Sequence, residues 1–171
     1  MIIVVLGVMG AGKTTVGTAL AARLGWRFFD ADDFHNPENW AKLSRGEALD
    51  DADRAPWLAR LRDEIASLLA RGESAVLACS ALKQAYRDAL VPANAQADAV
   101  RFVYLHADPQ LTAKRLDERT GHRADAALLK SQFAALEEPR DALRVDTGAP
   151  VPQLVQTIVD AWSLPRRGKN L

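Results

Sequence analysis

Five short apolar runs punctuate the chain, and a segment with apolar residues at every third or fourth position follows each of them. Ile2-Ile3-Val4-Val5-Leu6 is apolar without interruption, the pattern of a strand covered on both faces. Val16, Ala19, Leu20 and Leu24 repeat at helical spacing over 14–24 and stop at Gly25, a residue suited to a left-handed helix end. Trp26-Arg27-Phe28-Phe29 supplies a second strand. Residues 35–53 are polar and weakly periodic, which predicts an excursion with a functional role in place of a core element. Pro56 is placed to begin a helix carrying Trp57, Leu58, Leu61, Ile65, Leu68 and Leu69 on one stripe and ending near Gly72. Strands are expected over 74–79, 100–105 and 143–145, and helices after Ser80 and over 109–119, 125–136 and 151–162.

Alternating strands and helices predict an α/β fold: a parallel sheet with helices on both faces and ligands at the carboxyl ends of the strands. The 171 residues are half apolar, enough for one domain with a substantial core, expected over 1–164. The basic, aperiodic segment 165–171 is expected to fray. Twenty-two basic residues balance twenty-two acidic ones, so no global field attracts nucleic acid or an anionic membrane. The first apolar run is too short to span a bilayer and lacks a basic leader, which makes it a core strand and not a signal. The single cysteine, Cys79, sits in an apolar run and can form no internal disulfide, consistent with a reducing cytoplasm. His106 and His122 lack metal-ligand company.

The strongest chemical signal follows the first strand. Gly7-Val8-Met9-Gly10-Ala11-Gly12-Lys13-Thr14, continuing into Thr15, has the spacing of a phosphate-binding loop between a strand and a helix. Backbone amides and the helix dipole cradle a di- or triphosphate there; Lys13 reaches the β and γ phosphates and Thr14 holds magnesium. Asp30 and Asp32 close the second strand, where extended geometry puts both on one face. One such carboxylate can order magnesium and its waters, and the other can take a proton from an attacking hydroxyl. Arg115 and Arg119 are one helical turn apart and precede Gly121, as in a hinged lid, approximately 115–137, that closes over a phosphoryl group. A solvated basic face is the alternative for that pair.

Lys42, Arg54, Lys83 and Arg87 cluster near the predicted strand ends and could bind an anionic acceptor, although each alone reads equally as a surface charge. His35, after the acidic pair, is a candidate hydrogen-bond partner for a polyol. Together these features describe a small P-loop kinase of the nucleoside-monophosphate-kinase type.

Five segments go further. The loop at 7–14, Asp30-Ala31-Asp32-Asp33-Phe34-His35, Asp50-Asp51-Ala52-Asp53-Arg54-Ala55-Pro56-Trp57-Leu58, Cys79-Ser80-Ala81-Leu82-Lys83-Gln84-Ala85-Tyr86-Arg87-Asp88 and Ser131-Gln132-Phe133 together resemble the gluconokinase family of the thermoresistant type, in the family's order. The resemblance spans nearly the whole chain. It implies magnesium-dependent phosphorylation of D-gluconate at its 6-hydroxyl by ATP, giving 6-phosphogluconate and ADP, in a homodimer. It further implies Asp32 as general base, Asp30 in the magnesium-water network, Lys13 and Arg119 as transition-state cations, and Lys42, Arg54, Lys83 and Arg87 around the acceptor. The adenine is expected between the lid side and the loop 145–150.

This chain departs from the family pattern at Met9 and Ala11, where serines are common, at Ala31, where glycine is common, and at Arg123-Ala124, where an aromatic-methionine pair is expected. Shikimate and adenylylsulfate kinases share the loop and the acidic pair but not the other segments. A GTPase-like switch would carry an Asn-Lys-x-Asp segment, which is missing.

Overall fold

A computed structural model of the chain describes the backbone of residues 1–120 and 124–165, with side chains over 1–116 and 127–165. Five strands, β1 (Ile2–Leu6), β2 (Arg27–Asp30), β3 (Ala75–Ala78), β4 (Val100–His106) and β5 (Leu143–Asp146), form one sheet in the order β2-β3-β1-β4-β5. Every pairing is parallel. The helices are α1 (Lys13–Leu24), α2 (Pro37–Ser44), α3 (Asp51–Ala70), α4 (Gln84–Leu90), α5 (Pro109–Thr120), α6 (Ala124–Ala135) and α7 (Val151–Ala161). A 3₁₀ turn over Ala31–Phe34 joins β2 to α2.

The central strand explains the two-sided core. On β1, Ile3 and Val5 face a layer with Val16 and Leu20 of α1 and Leu154, Val155 and Ile158 of α7. Ile2, Val4 and Leu6 face the opposite layer, with Trp57, Leu61 and Ile65 of α3 and Leu90 of α4. The uninterrupted apolar run is therefore period two read on both faces. Gly25 ends α1 at φ 73° and returns its N–H to the Ala21 carbonyl, as the spacing predicted.

Two expectations need correction. Residues 35–53 are not wholly irregular, because α2 lies within them and α3 begins at Asp51, before Pro56. Asn36 caps α2 by accepting from the Asn39 amide at 2.8 Å, with Pro37 in its first turn. Asp50 and Asp53 form a capping box that starts α3, so Pro56 lies inside the helix. A proline near the start of a helix removes only one bond to the preceding turn, and the apolar stripe from Trp57 onward secures the rest.

Arg119 lies in α5 with its side chain outside the described residues, and Gly121, His122, Arg123 and the tail 166–171 lie outside the described residues altogether.

Candidate active site

The loop after β1 wraps the start of α1 at the carboxyl edge of the sheet. Gly10 has φ +74°, and a Cβ there would stand 2.9 Å from Thr112 Cγ2, so both conformation and space require glycine. Lys13 Nζ donates to the Val8 carbonyl at 3.0 Å, folding the ammonium back over the loop. Desolvation lowers its pKa, against the opposing pull of Asp32 and Asp30. The Met9 amide donates to Gln132 Oε1 of α6 at 2.7 Å. Met9 and Ala11, in place of serines, leave this backbone path intact.

Asp30 and Asp32 do come together, though by a turn and not by strand periodicity. Asp30 Oδ2 accepts from the Thr14 hydroxyl at 3.0 Å, while Oδ1 accepts from the Asp32 amide at 3.2 Å. Thr14 and Asp30 thus present two hard oxygen ligands side by side, a donor set that fits magnesium. Asp32 is 70% exposed at a cavity mouth. Partial desolvation and then the neighbouring Asp30 raise its carboxyl pKa, while His35 and Lys13 pull it down. The Trp57 indole N–H, donating to the Ala31 carbonyl at 2.7 Å, pins the acidic turn to α3.

A cavity of ≈ 830 Å³ opens beside this turn. Asp32, His35, Arg54 and Lys83 line it, as expected; Tyr86, Asp51 and Gln132 line it as well, and sequence reasoning assigned none of these three a role. Lys83 Nζ is held by Asp51 at 2.8 and 2.9 Å, and the Tyr86 hydroxyl donates to the same carboxylate. Among the described residues no carboxylate pairs with Arg54, whose guanidinium stacks 5.5 Å from the Tyr86 ring. Arg54 donates to the Tyr86 hydroxyl at 3.4 Å and, among the described residues, is the lining cation without a direct carboxylate partner, with Asp51 acting on it only at longer range.

Two expected acceptor cations lie elsewhere. Arg87 is 2% exposed and donates to the carbonyls of Ala81, Leu82 and Glu137 and to Gln84 Oε1. The helix expected after Ser80 begins only at Gln84, with Lys83 as its extended N-cap, and the 79–83 loop curls over Arg87 and accepts from it through the Ala81 and Leu82 carbonyls. Lys42 binds Asp53 at 2.6 and 2.7 Å, bracing α2 against the capping box of α3, and does not line the cavity.

On the other side of the loop a cavity of ≈ 360 Å³ is lined by Gly10, Gly12, Thr15, Arg115, Thr147 and Ala149, among others. Arg115 Nη2 donates to the Thr147 carbonyl at 2.9 Å. Loop 145–150 therefore borders this space, where the adenine was expected. Cys79 is buried behind the phosphate loop with its thiol pushed up to about 12 by desolvation, which leaves it unreactive. The foot of α6 is fastened to the acceptor side: Glu137 N–H donates to the Leu82 carbonyl, and Glu137 Oε2 accepts from the Gln84 amide.

Comparison with known proteins agrees with this geometry. The shikimate kinase family model matches residues 9–156. A gluconokinase of Gluconobacter oxydans (strain 621H) is 48% identical over 139 residues, covering 81% of this chain and 76% of that protein. A probable gluconokinase of Mus musculus is 38% identical across 94% of this chain and 96% of its own. The chain belongs to the gluconokinase family. A solved gluconokinase from Sinorhizobium meliloti 1021 superimposes with a TM-score of 0.83 at 39% identity, covering 94% of this chain and 90% of that one. Membership makes the chain a kinase with a nucleotide-binding P-loop. Among the described residues no helix is long and apolar enough to cross a membrane.

Proposed function

We propose that this protein transfers the γ-phosphoryl group of ATP to the 6-hydroxyl of D-gluconate, releasing 6-phosphogluconate and ADP. The observation that carries the reading is Arg54, a cation with no direct carboxylate partner among the described residues, in a cavity that Asp32 and Met9 of the phosphate loop also line. A small polyol with one carboxylate has the chemistry to satisfy it: carboxylate on Arg54, hydroxyls on Lys83 and Tyr86, and the far hydroxyl at Asp32, with His35 behind the Asp32 carboxylate and not on the substrate.

ATP lies with its phosphates over the amides at the start of α1 and its base toward Thr147 and Ala149. Lys13 turns from the Val8 carbonyl to the β and γ phosphates. Thr14 and Asp30 would hold magnesium, which would supply neutralisation of the phosphate charge. Asp32 orients the acceptor hydroxyl and takes its proton as the oxygen attacks phosphorus and the bond to the ADP oxygen breaks. Arg115 and Arg119 bring positive charge to the transferring group and help exclude water. The single domain spans 1–164, with a lid over approximately 115–137. A homodimer in the cytoplasm completes the proposal; it rests on family resemblance, with the lone reduced thiol consistent with that compartment.

ADP release measured with ATP and magnesium across D-gluconate, shikimate, adenylylsulfate and simple sugars tests the reading. Turnover confined to D-gluconate supports it. Turnover with another acceptor retains the kinase and discards the substrate.

A further inference from the structure

His35 lines the acceptor cavity, yet its side chain is only 6% exposed and its ring is held on three sides. Trp57 stacks on one face with centroids 4.6 Å apart and planes 16° apart, and Trp40 meets the ring edge to face at 6.1 Å. Asn39, itself 2% exposed, brings its Nδ2 to 3.4 Å from His35 Nδ1. The orientation of that amide is fixed independently, because Nδ2 also donates to the Asp53 carbonyl at 2.9 Å. Flipping the amide would set two oxygens against each other. Asn39 therefore donates to His35 Nδ1, which must be the acceptor nitrogen, and the ring proton resides on Nε2. Nε2 faces Asp32 Oδ1 at 3.9 Å.

We propose that Asn39 and His35 form a positioning relay that presents the Nε2–H of a neutral imidazole to one oxygen of Asp32, leaving the other oxygen for the acceptor hydroxyl. The inference rests on the reading of Asp32 as the acceptor-side carboxylate. The 3.9 Å gap is longer than a hydrogen bond, and the exposed Asp32 side chain closes it by rotating when the acceptor fills the cavity. No proton passes to His35; it stays on Asp32 after transfer. Burial holds His35 below its ordinary pKa, in keeping with a neutral ring. Trp57 links the relay to the acidic turn, since it stacks on His35 and bonds the Ala31 carbonyl. Asn39 and Trp57 thus act on Asp32 through His35 and the Ala31 carbonyl.

Two measurements test the relay. The chain has three histidines, so long-range ¹H–¹⁵N spectra of the whole protein, assigned by loss of one set in His35→Gln, report the His35 tautomer directly. An Nε2–H tautomer at neutral pH supports the relay, and an Nδ1–H or doubly protonated ring overturns it. In kinetics, His35→Phe keeps the stack on Trp57 but removes the N–H; kcat is expected to fall ~30-fold with the KM for gluconate little changed. His35→Gln, which returns an N–H near the Nε2 position, is expected to recover most of that loss. A rise confined to the KM for gluconate, or no loss in His35→Phe, overturns the relay. Should His35→Phe fail to fold, the tautomer decides alone. Asp32→Asn separates the two readings: near-normal turnover there removes Asp32 from the mechanism, whereas a dead Asp32→Asn beside an active His35→Phe removes only the relay.

Discussion

Gln132 Oε1 accepts the Met9 amide at 2.7 Å, tying α6 to the phosphate loop across 123 residues of chain. Gln132→Leu leaves that partly buried N–H against an apolar side chain, a cost of about 1–3 kcal/mol. The KM for ATP is expected to rise roughly 10-fold, with a smaller rise for gluconate, in steady-state assays that vary each substrate. Unchanged ATP kinetics would show that the loop holds its shape without α6.

Arg54 and Lys83 both line the acceptor cavity, but among the described residues only Lys83 is in direct contact with a carboxylate. Arg54→Ala is expected to raise the KM for gluconate about 10- to 100-fold, the worth of charge-assisted hydrogen bonds to a carboxylate. Lys83→Met should cost several-fold less. Equal effects would place the acceptor carboxylate between the two cations.

For Arg87 the expected defect is in stability. Arg87→Lys cannot satisfy three carbonyls and one amide oxygen from a single ammonium, and unpaired buried carbonyls follow. Thermal unfolding should shift down by roughly 5–10 °C, for a loss of about 3 kcal/mol. The KM for gluconate should hold. An unaltered Tm with a raised KM would return Arg87 to the acceptor site.

Lys13 is a desolvated cation whose pKa in the folded protein lies below that in the unfolded chain. The unfolded state binds the extra proton, so the destabilisation is full below the folded pKa and fades as pH rises towards the unfolded value. Lys13→Met is expected to raise Tm by a few degrees at neutral pH while abolishing turnover. The gap between variant and wild type should narrow on going to pH 10. A lower Tm in Lys13→Met at neutral pH would mean that the bond to Val8 outweighs desolvation.

What the sequence made legible was mainly what lies close together in it. The phosphate loop, its strand and its helix are one continuous segment, and β1 carries both core faces in five residues. The Asp53-Arg54-x-Pro-Trp-Leu stretch was recognisable as a pattern, but its parts act on distant partners: Asp53 on Lys42, Arg54 on Tyr86, Trp57 on His35 and Ala31. Periodicity placed a helix after Ser80, yet the helix begins only at Gln84, and Ala81, at φ 39°, turns the preceding loop back over Arg87. Burial there is decided by tertiary contact, which local spacing does not encode. Asp51, Tyr86 and Asn39 were missed for the same reason; the Asn-Pro start of α2 was the available hint for Asn39, since a capped helix there carries it inward.

Helix α6 meets the phosphate loop through Gln132, walls the acceptor cavity through Leu128 and Ser131, and is fastened just beyond its end through Glu137. The nucleotide and the sugar acid therefore share a partition. A ligand on either side is expected to steady the wall of the other, so that each of the two binds more tightly in the presence of its neighbour, by the same factor in both directions.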